Sequence, residues 1–156
     1  MKLSQNGKTE MMSIHSSMEL RCARTPTTEM RDITINRETG TLYVSFTGGV
    51  VYGTPGNWSC WPRGAGIQDG EVKKVDLAPN GDVWVTTDIG LGRFSQESGW
   101  TRFVPPRLPS STVYGLGFIE DEVWISTDEG GVVIDANDGV TRFESEPMLR
   151  FDLDAE

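Results

Sequence analysis

An all-β fold assembled from repeated antiparallel sheets is the class this sequence predicts, and three observations carry it. A phrase recurs along the chain as Gly40-Thr-Leu-Tyr-Val-Ser45, Gly81-Asp-Val-Trp-Val-Thr86 and Asp121-Glu-Val-Trp-Ile-Ser126, with its aromatic anchors Tyr43, Trp84 and Trp124 spaced 41 and 40 residues apart. A second phrase, Gly99-Trp-Thr-Arg-Phe103, returns 40 residues later as Gly139-Val-Thr-Arg-Phe143. The 156 residues include 18 glycines and 8 prolines, the punctuation of many short strands joined by tight turns. Self-similarity at about 40 residues in strand-rich sequence is the mark of propeller blades, each a four-stranded antiparallel sheet. The expected fold is therefore a partial or small β-propeller with three clear four-stranded blades, to which the two termini would add a composite fourth.

The second unit shows the strand order best. Val75 and Leu77 alternate in the first strand, residues 72–78, and Pro79-Asn-Gly81 turns the chain. Residues 82–87 form the second strand, with Val83 and Val85 on one face and Trp84 on the other. Asp88-Ile-Gly90 turns again, residues 91–95 are the third strand, and Glu97-Ser-Gly99 leads to a fourth at 100–104. Pro105-Pro106 then ends pairing, because proline offers no donor to a central ladder. The third unit repeats this at 113–119, 123–127, 131–135 and 140–144. The first unit does so at 32–36, 42–46, 50–53 and 58–61. The blades are expected at about 31–70, 71–111 and 112–148. Leu149, Phe151 and Leu153 alternate in a C-terminal strand at 149–155. Residues 1–30 hold Asn6-Gly7, a good hairpin turn, and either supply strands to the composite blade or form a flexible tail.

Composition narrows the function. A net charge of −9 opposes a nucleic-acid groove, which needs Lys and Arg to neutralise phosphates. No apolar run is long enough to span a bilayer, so membrane insertion is not expected. The first residues lack the apolar stretch of a secretory signal, which predicts a cytoplasmic location, or a periplasmic or secreted one if a signal has been removed. Cys22 and Cys60 fall at non-equivalent repeat positions and are expected as two free thiols in a reducing compartment, with a structural disulfide as the alternative. With no CxxC pair and a single histidine, His15, neither a metal site nor any cofactor is expected, and no catalytic residue is assigned. Asp135-Ala-Asn-Asp-Gly139 resembles the start of a calcium loop, but Gly139 takes the fifth ligand position, so a hairpin turn is the stronger reading.

The run Asn80-Gly-Asp-Val-Trp-Val-Thr-Thr-Asp-Ile-Gly-Leu-Gly-Arg-Phe94, followed by Gly99-Trp-Thr-Arg-Phe103, resembles the two-component-regulator propeller repeat. The third unit keeps Trp124, Thr127 and Gly130 but has Asp121 for the turn glycine. The first keeps Gly40 and Gly49 but has Tyr43 for tryptophan and Phe46 for threonine. The resemblance runs from about residue 31 to 144. It implies a bacterial sensor-type propeller, and those sensors carry more units, typically enough for seven-bladed rings. Streptogramin lyases share the repeat pattern, yet their chemistry needs a histidine that these three units lack.

Three units are too few to encircle an axis, since closed propellers have about four to eight blades. An open arc would leave blade faces bare, and something must cover them. The chain is therefore expected to be a non-enzymatic binding module that completes its ring by self-association, as in a homodimer, or by docking on a partner subunit. A small-ligand sensor domain is one alternative, and a lyase or hydrolase using carboxylates near the axis is another. The candidate contact residues are Thr47, Arg63, Asp88, Arg107 and Asp128, on turns and connections that cluster at one end of the channel in ordinary propeller order. Gly40, Gly81, Tyr43, Trp84 and Trp124 are read as structural anchors.

Overall fold

A computed structural model of the chain describes residues 29–62 and 70–143. Among them are twelve strands and no helix: β1 Met30–Asn36, β2 Thr41–Phe46, β3 Gly49–Thr54, β4 Asn57–Pro62, β5 Val72–Leu77, β6 Val83–Thr87, β7 Gly90–Ser95, β8 Gly99–Phe103, β9 Val113–Ile119, β10 Glu122–Thr127, β11 Gly130–Ile134 and β12 Val140–Phe143. They pair in sequence order into three four-stranded antiparallel sheets, β1–β4, β5–β8 and β9–β12. These are blades 1, 2 and 3 of a partial propeller. The proposed fourth blade from the termini, with His15, Cys22 and the 149–155 strand, lies outside the described residues.

Each anchor sits at the same point of its ladder. Tyr43 pairs with Tyr52, Trp84 with Arg93 and Trp124 with Val133. The turn glycines Gly40 and Gly81 take φ of 76° and 94°, a left-handed region that glycine enters without steric cost. Residues facing each other across a ladder share a face of the sheet, so each blade has a leading face toward the preceding blade and a trailing face toward the next.

The core lies between blades. The trailing face of blade 1 meets the leading face of blade 2 around Val50, Trp61, Val72, Val75, Val83 and Val85, with Tyr43, Tyr52, Phe94 and Trp100 packed against them. Trp61 stacks on Tyr52 with ring centroids 4.2 Å apart, and meets Trp100 edge-on at 5.1 Å. Such pairs add about 0.5–1.5 kcal/mol each beyond simple burial. The second seam gathers Trp84, Leu91, Phe103 and Leu108 from the blade 2 side against Val123, Ile125, Val132 and Ile134 of blade 3. A third cluster, Val44, Phe46, Val51 and Trp58, occupies the leading face of blade 1. The first strands carry the contact: β5 packs across β1, β2 and β3.

One sequence expectation is corrected at β4. Cys60 is disulfide-bonded rather than a free thiol. It lies half-buried beside the cluster on the leading face of blade 1. Its sequence neighbours gave no hint, because pairing depends on which distant cysteine the fold brings near.

Candidate functional site

The turns joining second to third strands begin from a shared device. In blade 2 the Thr87 hydroxyl donates to the Gly90 carbonyl (3.3 Å) and accepts from the Ile89 N–H (3.2 Å). In blade 3 Thr127 does the same with Gly130 (2.6 Å) and Glu129 (3.2 Å). These threonines satisfy the turn backbone, which leaves the next position free for other contacts. That position is Asp88 or Asp128, and Thr47 holds the corresponding place in blade 1, after Phe46. Asp88 accepts the Glu71 N–H at 2.7 Å and so anchors the entry to β5. The Thr47 carbonyl accepts the Val72 N–H at 3.0 Å, while its hydroxyl is buried with no partner. Asp128 is exposed. Thr47, Asp88 and Asp128 thus occupy equivalent turns at one end of the arc. Arg63 lies outside the described residues.

Arg107 is turned to a structural task. It donates to the carbonyls of Arg102 (3.1 Å) and Asp138 (2.9 Å), and its guanidinium sits 4.5 Å from the Phe103 ring centroid. It closes the outer side of the seam between blades 2 and 3. Asp135 likewise serves its own hairpin: its Oδ1 accepts the N–H groups of Asn137 and Gly139, both at 2.8 Å.

Two constellations escaped the sequence reading. The first centres on Arg93 of β7. Its guanidinium makes a forked pair with the Asp138 carboxylate, one arm being Nη2 to Oδ2 at 3.0 Å, and it lies 5.6 Å and 5.5 Å from the ring centroids of Trp84 and Phe103. Hydrogen bonding to Arg93 holds the Asp138 carboxyl below the usual carboxylate range, and the same bond raises Arg93 further. The signal was a charged residue standing directly opposite the anchor Trp84 in the ladder. Its partner lies 45 residues away, which no local pattern reports.

The second lies on the first strands. The Asp32 carboxylate accepts the N–H of Ile33 (2.9 Å) and, across the seam, of Val75 (3.2 Å). Asp76 on β5 is half-buried, and burial, then the Asp32 charge, pushes its pKa up against the opposing pull of Lys74. Lys74 reaches blade 3 through the Tyr114 carbonyl at 3.2 Å.

The hairpin turns at the opposite end from Thr47, Asp88 and Asp128 border an open polar groove of about 770 Å³, lined in part by Asn36, Thr41, Tyr43, Arg93, Gln96 and Asp138. Arg93 and Asp82 also line a smaller cavity of about 110 Å³ beside the Glu120–Glu122 turn. Among the described residues no group of three or more His, Cys, Asp or Glu side chains is placed to hold a metal ion.

No protein-family model matches this sequence, and no curated protein matches it. Solved structures do match in fold. Virginiamycin B lyase from Staphylococcus aureus superposes with a TM-score of 0.63 at 17% identity, over 77% of this chain and 43% of that one. The extracellular domain assigned to a hybrid two-component system from B. thetaiotaomicron gives 0.63 at 19% identity, over 79% and 18%. YCF48 with a bound peptide gives 0.56 at 17% identity, over 75% and 40%. The neighbours are β-propellers, and they include both an enzyme and sensor domains. The chain spans less than half the length of each of these three.

The cytoplasmic expectation is corrected by the same comparison. The two-component-system propellers that match in fold are extracellular domains, which runs against that expectation. The bonded Cys60 agrees, because disulfides persist in oxidising compartments.

Proposed function

We propose that this chain works by binding rather than by catalysis, as an interaction module whose exposed first strand is covered by another polypeptide. One contrast carries the reading. By register Ile33 pairs with Val44 as Val75 pairs with Val85, so the two hold the same place in blades 1 and 2. Val75 is 1% exposed beneath blade 1, whereas Ile33 is 59% exposed and Ile35 beside it 44%. An apolar pair at a position built for burial between blades is an interaction surface. The test is a hydrophobic dye combined with amide hydrogen exchange on the dilute chain. Dye binding that Ile33→Lys with Ile35→Lys removes, and rapid exchange along β1, support the module. A β1 that is protected in the dilute monomer would sink it.

A second reading has its own support. A half-buried carboxyl raised by burial and by the Asp32 charge, as Asp76 is, is a kind of group that hydrolytic sites use, and it favours chemistry or ligand sensing near the first strands. Turnover of an ester, lactone or glycoside that Asp76→Asn abolishes, with the fold intact by circular dichroism, would establish that reading over the first.

A further inference from the structure

We infer that the trailing face of blade 3 binds an arginine side chain of a basic polypeptide, held between Glu122, Trp124 and Phe143. This surface lies on a different blade from β1 and stands apart from the reading of β1 as an interaction surface.

Blade 2 supplies the template, because there the same positions hold an arginine of the chain itself. Along one ladder row Asp76, Trp84, Arg93 and Thr101 stand side by side, and in the next row Leu91 stands opposite Phe103. The Arg93 guanidinium lies 5.6 Å and 5.5 Å from the ring centroids of Trp84 and Phe103. It donates to the Thr101 hydroxyl at 3.2 Å. Asp82, two residues before the tryptophan, places its carboxylate 4.0 Å from Nε. Aromatic faces beside a carboxylate suit a guanidinium, which is planar, weakly hydrated and always charged.

Blade 3 repeats this cradle without its cation. One row runs Gly117, Trp124, Val133 and Thr141, and in the next Gly131 stands opposite Phe143. Trp124 therefore takes the place of Trp84, Thr141 that of Thr101, and Phe143 that of Phe103. Glu122, two residues before its tryptophan, takes the place of Asp82. The Trp124 and Phe143 rings lie 5.3 Å apart, against 5.5 Å for the pair in blade 2. Val133 stands where Arg93 stands, and among the described residues no cation lies over Trp124 or Phe143.

The cradle of blade 3 is also open. Glu122 and Thr141 are exposed, Trp124 and Phe143 are half-buried, and Ile119, opposite Glu122 in the ladder, is 55% exposed. Gly117 replaces Asp76, and a Cβ there would meet nothing within 4 Å, which clears an approach past β9. The arginine of β12 is not available to fill the place. Arg142 stands opposite Val132 on the other face and donates to the Pro106 carbonyl at 2.7 Å. A chain charge of −9 draws a basic segment in from solution.

The test is nuclear magnetic resonance of the indole N–H signals during titration with hexa-arginine at physiological salt. The Trp124 signal, assigned by its loss in Trp124→Phe, should shift saturably, and hexa-lysine should bind at least about threefold more weakly. Glu122→Gln should weaken hexa-arginine at least about threefold, whereas Glu129→Gln, on the exposed β10–β11 turn, should change it by less than about twofold. Val133→Arg supplies the missing cation from within the chain and should abolish the shift. Circular dichroism checks folding, and Thr141→Arg, in the same row, replaces that variant if it fails. Four results overturn the inference: a Trp124 signal that does not move, equal binding of hexa-lysine, equal losses from Glu122→Gln and Glu129→Gln, or undiminished binding in the arginine variant. None of these bears on β1, whose dye binding and exchange are read separately.

Discussion

Arg93 shows how much a single side chain can hold between two sheets. It spans the second seam with a forked pair to Asp138 and lies over Trp84 and Phe103. We expect Arg93→Ala to lower stability by about 1–2 kcal/mol, allowing for the partly solvated Asp138, as measured by urea unfolding. Asp138 titrates below its ordinary range, so its contribution is present at neutral pH and is lost as pH falls through that depressed value. Asp76 behaves in the opposite sense. Its raised pKa means the folded chain prefers the protonated form; that advantage is complete below the ordinary carboxylate range and disappears as pH rises through the raised value. Asp76→Asn should therefore raise Tm at pH 7, and the gain should shrink toward zero below about pH 4 when calorimetry is run at both. Neither site was legible beforehand. Alternation placed Arg93 and Asp76 on strands, but their pKa values depend on neighbours from other repeats. Trp84, by contrast, was legible as a buried anchor because its whole environment repeats with the phrase around it.

At the scale of strands and turns the sequence said far more. All twelve described strands fall within two residues of their expected ends, since a period of two and a repeat of 40 constrain the same positions independently. Turn glycines separate by how crowded they are. Gly40 takes φ of 76° with nothing within 4 Å of an added Cβ, whereas at Gly90, with φ of 140°, a Cβ would sit 2.6 Å from the Phe103 carbonyl oxygen. We expect Gly40→Asn to cost under about 1 kcal/mol, because asparagine tolerates the left-handed region. Gly90→Ala should cost more than about 2 kcal/mol by the same unfolding assay, since backbone must move as well as strain. What the turns do beyond turning was less readable. Asp88 was read as a contact residue at the channel end, yet with Thr87 capping the turn it bonds the Glu71 N–H. Two residues with the same capping chemistry stood side by side, and only the fold chose between them.

At the scale of the whole molecule, the described residues form an arc of three blades. The chain carries a charge of −9, which attracts a basic partner, and salt screens that attraction. We expect the affinity for hexa-arginine to fall as sodium chloride rises from low to physiological levels, as followed by titration calorimetry. The cysteines bear on the whole chain too. Reducing the Cys60 disulfide should lower Tm measurably, by an amount corresponding to about 2–4 kcal/mol. The repeat made the arc legible and left the disulfide hidden, because blade geometry is periodic and a covalent link between unlike positions is not. The aromatic packing of the first seam has one last consequence. Tyr43, Tyr52, Trp61, Phe94 and Trp100 hold their rings within about 4–6 Å of one another across two separate sheets. Transition dipoles that close couple, so the near-ultraviolet circular dichroism should carry an exciton signal that vanishes when blades 1 and 2 part, an optical gauge of their separation that requires no label.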